Sequence, residues 1–440
     1  MAKQTKKSIN NLIIYELNIQ TLTEGHDFRG VIDDLDRIKA LGVDVVWLMP
    51  IHPRGEKNKL GKYGSPYSVR DFRAINPMYG TEEDFDALVA AVHAKGMKLM
   101  LDIVYNHTSQ DSWLVENHPE WFYHDENGAP RYRFWNDVYD LDYSNEGLCD
   151  YMVETALYWA KRGVDGYRCD VAPMVPIEFW CRVRREMDKL NPDFIWLAET
   201  HHYPFLTKMR DQGWNLHSDA EMYAAFDITY DYDVHYWYDD YLKGKGTLAA
   251  YIDGLNRQKA MYPQNYIKMR FLENHDQARV CSLIHTDEQL SMWTAFSYFL
   301  KGPVLIHAGQ EFKVEGRSFM REGGALPRAE VPWLLSEFAA LREIKKLPIC
   351  TEGNFFLESP TMDSLLVGHY EKGDEQLFGI FNFHMVKGTV DLPLPDGTYE
   401  SLLGGEISVK DGKADAPYTP VLLHITGNTL QKAAFREHNN

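Results

Sequence analysis

Four short segments place acidic, basic or imidazole side chains at the ends of apolar runs. They read DIVYNH at 102–107, GYRCD at 166–170, WLAE at 196–199 and ENHD at 273–276. Three of the segments end in a carboxylate: Asp170, Glu199 and Asp276. Two carboxylates in one cleft suit glycosidic bond hydrolysis, because one attacks or supports an oxocarbenium-like centre while the other protonates the leaving oxygen. A single acidic residue after a strand is usually a cap or a surface charge, so this interpretation requires the segments to converge.

The elements that would bring them together alternate regularly from residue 12 to about 346. Short β-branched or aromatic runs predict strands at 12–19, 43–49, 97–104, 164–171, 194–199, 214–218, 268–272 and 303–307. Helical patterns between them predict helices at 28–41, 81–95, 147–162, 176–190, 203–212, 247–259, 287–300 and 330–346. Eight such units predict an α/β fold, a (β/α)8 TIM barrel. Active-site groups in such barrels come from the C-terminal strand ends, so the segments would share one cleft.

Two regions fall outside the barrel pattern. The connection after the third strand runs from 106 to 146, is rich in aromatic residues, and has the length of a functional loop or small subdomain. After about residue 350 the sequence changes to alternating strands with turn residues, which indicates an antiparallel β-domain. We therefore predict a catalytic barrel at 1–105 and 147–348, an inserted domain at 106–146 and a C-terminal β-domain at 349–440.

Composition excludes several classes of partner. With 46 basic and 64 acidic residues in 440, the net charge is -18, which disfavours nucleic acid and anionic membrane surfaces. No apolar stretch approaches the roughly 20 residues of a membrane span, and the N-terminus lacks the apolar core of a signal peptide. The five cysteines show no CxxC pairing, which argues against a disulfide framework or a zinc site. We predict a cytoplasmic protein with no membrane partner.

The four segments, in this order and at these strand positions, resemble the four sequence regions of the α-amylase family, glycoside hydrolase family thirteen. The segment from Tyr63 through Tyr67, followed by Asn76-Pro-Met-Tyr-Gly-Thr, is similar to the family's motif after the second strand. The resemblance covers nearly the whole chain. It implies a TIM barrel, a short B domain inserted after the third strand and a C-terminal antiparallel β-domain.

The resemblance also implies a role for each matching residue. Asp170 would be the nucleophile, Glu199 the general acid/base, and Asp276 the carboxylate that fixes sugar hydroxyls. Substrate-binding roles would fall to Arg168, which orients the nucleophile, to His107 and His275, which hold hydroxyls, and to Tyr67, which stacks on the sugar ring. The residue types agree, because an arginine keeps a neighbouring carboxylate ionised, and the apolar residues before Glu199 favour its protonated form.

The resemblance makes Asn106 a candidate calcium ligand. Many relatives carry Lys-His shortly after the nucleophile, whereas this chain reads Val-Ala-Pro-Met after Asp170. The short insertion offers few further oxygens to an ion that takes six to eight, although Asp137, Asp140 and Asp142 remain available. The sequence therefore assigns no metal ligands, and we predict that no cofactor is required, with calcium as the one candidate ion.

These observations predict a glycoside hydrolase acting on maltodextrin or starch-like α-glucans. The expected reaction is retaining, endo-type hydrolysis of α-1,4-glucosidic bonds through a covalent glycosyl-enzyme on Asp170. The alternatives are a cyclomaltodextrinase, an α-glucosidase or an α-glucan transglycosylase of the same family, and a non-catalytic binding subunit. The presence of all three carboxylates argues against the last. The partner is an α-glucan oligosaccharide; the oligomeric state is left open.

Overall fold

The computed structural model describes residues 4–316 and 321–426, and its largest element is a closed sheet of eight parallel strands. The strands of the chain are β1 Ile13–Leu17, β2 Val45–Leu48, β3 Lys98–Ile103, β4 His107–Ser109, β5 Val138–Asp140, β6 Gly166–Cys169, β7 Ile195–Ala198, β8 Ile228–Tyr230, β9 Lys268–Met269, β10 Val304–His307, β11 Asn354–Leu357, β12 Leu365–Lys372, β13 Glu375–Asn382, β14 Thr389–Asp391, β15 Gly397–Glu400, β16 Glu406–Lys410, β17 Lys413–Asp415 and β18 Val421–Thr426. The barrel order is β10-β1-β2-β3-β6-β7-β8-β9, and a bridge between Arg270 and Val304 closes it. The predicted (β/α)8 TIM barrel is confirmed.

Helices surround the barrel at each predicted position. They are α1 Ile19–Leu22, α2 Phe28–Ala40, α3 Glu82–Ala94, α4 Trp113–Asn117, α5 Glu146–Lys161, α6 Ile177–Leu190, α7 Tyr203–Asp211, α8 Asp219–Met222, α9 Tyr232–Leu242, α10 Leu248–Met261, α11 Asp287–Phe299, α12 Pro332–Lys345 and α13 Pro348–Glu352. Helix α3 begins at a capping box between Thr81 and Asp84, as their spacing indicates. Within the described ranges, no helix is both long and apolar enough to cross a membrane.

The sixth barrel strand is β8, so the predicted strand at 214–218 is wrong. Residues 214–218 form an irregular connection between α7 and α8. Leu216 is an apolar residue of this connection, and it packs in a small cluster with Met209, outside the barrel sheet. The actual strand, Ile228–Tyr230, pairs with β7 and β9 but has only three residues. A strand that short carries too few residues for a periodic pattern to single it out.

The 106–146 insertion is anchored to the barrel by a short antiparallel pair. Strand β4 begins shortly after the end of β3 and pairs with β5, with His107 opposite Asp140. Among the aromatic residues of the insertion, Trp121 and Phe122 are buried in the core. Three others are exposed: Trp113, Tyr132 and Phe134. The pair holds the insertion beside the C-terminal ends of the barrel strands.

The C-terminal region forms two four-stranded antiparallel sheets in the described residues, β11-β12-β13-β18 and β14-β17-β16-β15. Apolar residues from both sheets form a core of their own. The first sheet also packs on the barrel helix α11, where Phe296 lies 5.1 Å from Phe381 between ring centroids. The Tyr370 hydroxyl donates to the Phe299 carbonyl at 2.7 Å. The predicted antiparallel β-domain is confirmed.

Candidate active site

The predicted site residues meet at the C-terminal ends of the barrel strands. A cavity of about 130 Å³ lies there. It is lined by six of the seven predicted residues, Tyr67, His107, Asp170, Glu199, His275 and Asp276. The seventh, Arg168, lies fully buried beneath them. The four segments thus converge as the barrel geometry requires.

Arg168 connects the carboxylates of three strands. Its Nη1 donates to Asp170 Oδ1 at 2.9 Å and to Asp102 Oδ1 at 2.9 Å, and its Nη2 lies 3.0 Å from Glu199 Oε2. The guanidinium carbon lies 5.5–5.6 Å from the ring centroids of three aromatic residues, Trp47, Tyr67 and Tyr230. Charged contacts and aromatic faces together hold this guanidinium in one orientation.

The pKa of Asp170 depends on more than the arginine beside it. Burial raises the pKa of Asp170 well above that of a free aspartate, and repulsion from Glu199 and Asp102 adds to the rise. Arg168 lowers this pKa but is shared among three carboxylates. Burial also raises the pKa of Glu199, as its apolar neighbours predict. A single guanidinium therefore does not by itself keep the whole group ionised.

Val171 follows Asp170 in a strained backbone conformation. Its φ of 38° and ψ of 41° are left-handed, which is rare for a β-branched residue and costs roughly 1–3 kcal/mol. In this conformation its backbone N–H donates to Glu199 Oε2 at 2.7 Å. Glu199 Oε2 thus accepts from Val171 and faces Arg168, which leaves Oε1 as the oxygen able to carry a proton.

His275 lies between two carboxylates. Its Nδ1 contacts Glu16 of β1, and its Nε2 lies 3.2 Å from Asp276 Oδ2. Despite burial, Asp276 and Glu16 raise the pKa of His275 well above its usual value, and His275 in turn lowers the pKa of Asp276. The Tyr67 ring stacks on the His275 ring with centroids 5.4 Å apart. The Tyr67 hydroxyl oxygen lies 2.8 Å from His275 Nε2. Asp276 is thereby held as an ionised acceptor.

His107 approaches the opposite oxygen of the predicted nucleophile. Its Nε2 lies 4.0 Å from Asp170 Oδ2, and burial lowers the pKa of His107 to about 4, so the ring is neutral near pH 7. The Trp135 ring packs beside it at 5.1 Å between centroids. Trp135 also lines the cavity, which places one aromatic residue of the insertion next to the predicted catalytic residues.

Sequence reasoning missed several residues of this site. Glu16 interrupts an otherwise apolar strand whose five residues are all buried, and that was a readable signal. Asp102, the first residue of the DIVYNH segment, bonds Arg168 and accepts from the Tyr67 hydroxyl at 3.1 Å. The cavity is also lined by Asp137 and Arg321, for which the sequence carries no comparable signal.

The oxygen atoms around Asn106 are the candidate ligands for calcium. In the part of the chain that the structure describes, no group of three or more His, Cys, Asp or Glu side chains is arranged to hold a metal ion. Asn106 and Asp140 do face each other at the β4–β5 pair, but the Arg133 side chain bonds both of them.

Comparison with known proteins identifies the family. The alpha amylase catalytic domain matches residues 7–120 and 116–332, and the bacterial alpha amylase C-terminal domain matches 356–423. The structure of an alpha-amylase from Lactobacillus plantarum is 41% identical, with a TM-score of 0.92, and covers 96% of this chain and 100% of that one. The maltogenic alpha-amylase AmyB from Thermotoga neapolitana is 35% identical, with a TM-score of 0.86 and coverages of 96% and 100%.

A longer relative matches as well. Alpha-amylase MalA of Haloarcula japonica is 25% identical over 434 residues, which is 92% of this chain and 60% of that protein. This chain therefore spans about 60% of that relative's length. The catalytic-domain match covers well over half of the chain, and two solved α-amylases align along almost all of it. The chain belongs to the α-amylase family of glycoside hydrolases.

Proposed function

We propose that this chain is a retaining, endo-acting hydrolase of α-1,4-glucosidic bonds in maltodextrin or starch-like α-glucans. The observation that carries the proposal is that the Arg168 guanidinium contacts both Asp170, at 2.9 Å, and Glu199, at 3.0 Å. Two carboxyl groups held by one guanidinium lie close together. Retaining enzymes need about 5–5.5 Å between them, whereas inverting enzymes need about 6.5–9.5 Å to admit water.

In this proposal Asp170 is the nucleophile. Arg168 holds Asp170 Oδ1, so Oδ2, near His107, is the oxygen that attacks the anomeric carbon. The C–O bond to the leaving sugar breaks as Glu199 Oε1 gives its proton to the glycosidic oxygen. Water then attacks the glycosyl-enzyme while Glu199 takes its proton, which releases the sugar and restores both carboxyl groups.

The remaining predicted residues bind the reacting sugar. Asp276 and His275 form an ionised pair at the cavity wall and suit sugar hydroxyls as hydrogen-bond partners. Tyr67 presents an aromatic ring at the same wall. We assign this chemistry to a barrel at 1–105 and 147–348, with 106–146 as a B domain and 349–440 as a C-terminal β-domain.

Product profiles test the substrate and the mode of attack. The protein is incubated with amylose, maltotriose, β-cyclodextrin, pullulan and trehalose, and products are followed by chromatography. Endo-action predicts a ladder of intermediate maltooligosaccharides from amylose at early times. Preferential opening of β-cyclodextrin would indicate a cyclomaltodextrinase instead. Release of glucose alone would indicate an α-glucosidase, and products longer than maltotriose from maltotriose would indicate a transglycosylase.

Asp170→Asn and Glu199→Gln test the two reactive roles. Each should lower kcat by orders of magnitude, because charge or proton supply is lost without a change of volume. Unfolding temperatures should change little, since Arg168 keeps Asp102 and one further carboxylate as partners in either variant. Asp211→Asn, at an exposed position ending α7, is the matched control. A variant that keeps a tenth or more of the wild-type activity would remove that residue from its role.

A further inference from the structure

A buried arginine joins the insertion to the end of strand β3. The Arg133 side chain is 5% exposed, and its Nη2 donates to Asn106 Oδ1 at 2.6 Å and to Asp140 Oδ1 at 3.2 Å. The Arg133 backbone N–H donates to the other oxygen of Asp140 at 2.5 Å. The guanidinium carbon lies 4.9 Å from the Trp214 ring and 5.6 Å from the Tyr123 ring. Arg133 is thus held by charge, hydrogen bonds and aromatic faces.

These contacts decide whether the residues present fit a calcium ion. Calcium takes six to eight oxygens at about 2.3–2.6 Å. The oxygens nearest to a site at Asn106 are its own Oδ1 and the Asp140 carboxylate, and Arg133 bonds all of them. An ion at this position would have to displace a buried guanidinium and leave it without partners, which is unfavourable. The arrangement does not fit calcium.

We propose that Arg133 serves as a built-in cation at the position where the family resemblance suggested calcium, and that it positions His107 for the reaction. Arg133 needs an acceptor, so the Asn106 amide turns its oxygen toward Arg133 and its Nδ2 toward His107. That Nδ2 lies 3.1 Å from His107 Nδ1. An amide donor at Nδ1 makes Nδ1 the acceptor, so the ring proton is on Nε2, the atom facing Asp170 Oδ2 at 4.0 Å.

The proposal has two consequences that are measured separately. The first is that the folded protein does not depend on calcium, which needs no assumption about the reaction. The second, that Arg133 orients His107 toward the reacting sugar, rests on the proposed function. Arg133 is a positioning residue in this scheme, because it acts through Asn106 and does not itself line the cavity.

The experiment compares thermal unfolding of four full-length proteins in EDTA and in millimolar calcium chloride, without substrate. The wild type should unfold at the same temperature in both. Arg133→Ala should unfold at a lower temperature in EDTA and be raised by calcium, because Asn106 Oδ1 and Asp140 Oδ1 then lose their guanidinium partner. Arg133→Lys keeps the charge and should recover part of the loss. Arg131→Ala is the matched control.

Arg131 suits this purpose because its guanidinium lies over the same two rings, 5.2 Å from Trp214 and 5.6 Å from Tyr123. None of the hydrogen bonds or ion pairs found in residues 4–316 and 321–426 joins its side chain to Asn106 or Asp140. Arg131→Ala should therefore show no response to calcium. If it responded as Arg133→Ala does, the effect would belong to the stacked rings and the proposal would be wrong.

Kinetics in EDTA test the positioning role. Arg133→Ala should lower kcat/KM by about tenfold, mainly through kcat, because a misoriented His107 loses contacts made in the transition state. Arg133→Lys should restore part of this loss.

Calcium-dependent unfolding of the wild type would overturn the cation role, even if Arg133→Ala did not fold. A calcium-insensitive Arg133→Ala would overturn it too, and unchanged kinetics would overturn the positioning role. Absence of activity on any α-glucan in the wild type would instead count against the proposed function.

Discussion

Glu16→Gln removes a buried charge that lies against the predicted site residue His275. Glu16 is fully buried on β1 and contacts His275 Nδ1, while Asp276 faces the other nitrogen of the same ring. His275 also lowers the pKa of Glu16, so the pair is ionised near neutral pH. Glutamine keeps the volume and one acceptor oxygen but removes the charge.

The size of the effect follows from the contact that is lost. A hydrogen bond to a charged group contributes about 1.5–3 kcal/mol, and one pKa unit corresponds to about 1.36 kcal/mol. The substitution should therefore lower the folded-state pKa of His275 by about one to two units. Folding raises this pKa, so the stabilisation is fully present below the unfolded value and is lost as pH rises through the folded value.

Denaturant unfolding at several pH values measures this directly. The variant should be less stable than the wild type by about 1.5–3 kcal/mol near pH 6. The difference should shrink as pH rises through the folded-state pKa of wild-type His275, because the ring is then neutral in both proteins. Glu24→Gln, an exposed change of the same chemistry, should show no difference at any pH. A Glu16→Gln deficit that stays constant with pH would refute the reasoning, since packing alone would then explain it.

Two further predictions concern stereochemistry and barrel closure. The first sugar products should have the α-configuration by NMR, because a nucleophilic Asp170 implies two successive inversions; β-configured first products would exclude the covalent intermediate. Gly302→Ala should destabilise the protein by about 2–5 kcal/mol, measured by denaturant unfolding, because its φ is 127° and a Cβ would lie 2.0 Å from the Lys268 carbonyl oxygen. Gly96→Ala, with a φ of 66° and open space around the new Cβ, should cost only about 1–2 kcal/mol. Equal losses at the two glycines would contradict the steric argument.

The sequence predicts the barrel and the candidate catalytic residues because both can be recognised from short segments and their order along the chain. Asp170 and Glu199 directly follow buried strands β6 and β7, and the closure of parallel strands brings their ends to one side. The strand at 214–218 was misplaced for the opposite reason. Its apolar residues pack in a local cluster with α7, whereas β8 has only three residues and is defined by its neighbours β7 and β9.

The partners of the reacting groups are much harder to predict. Glu16 and His275 are 259 residues apart, and Arg133 reaches Asn106 across 27 residues of an irregular insertion. Neither pair has a spacing that a helix or strand period would reveal. Such contacts depend on how far side chains reach once the barrel is closed and the insertion is folded over it. A charged residue within a fully buried strand, as at Glu16, is the one signal available beforehand.

The charges around Arg168 explain how Asp170 and Glu199 could divide the roles of nucleophile and general acid/base in the proposed mechanism. One guanidinium faces Asp102, Asp170 and Glu199, so the group carries more negative than positive charge if all three ionise. Burial raises the pKa of both Asp170 and Glu199; repulsion from Glu199 adds to the rise at Asp170, and repulsion from Asp276 adds to the rise at Glu199. Both shifts favour one proton held on the pair. In the proposed mechanism, Glu199 keeps that proton on Oε1 while Asp170, bonded to Arg168, attacks. Once Asp170 is esterified in that mechanism, its charge is gone and it no longer repels a charge on Glu199. The pKa of Glu199 should then fall, which allows the same residue to act as the base that activates water.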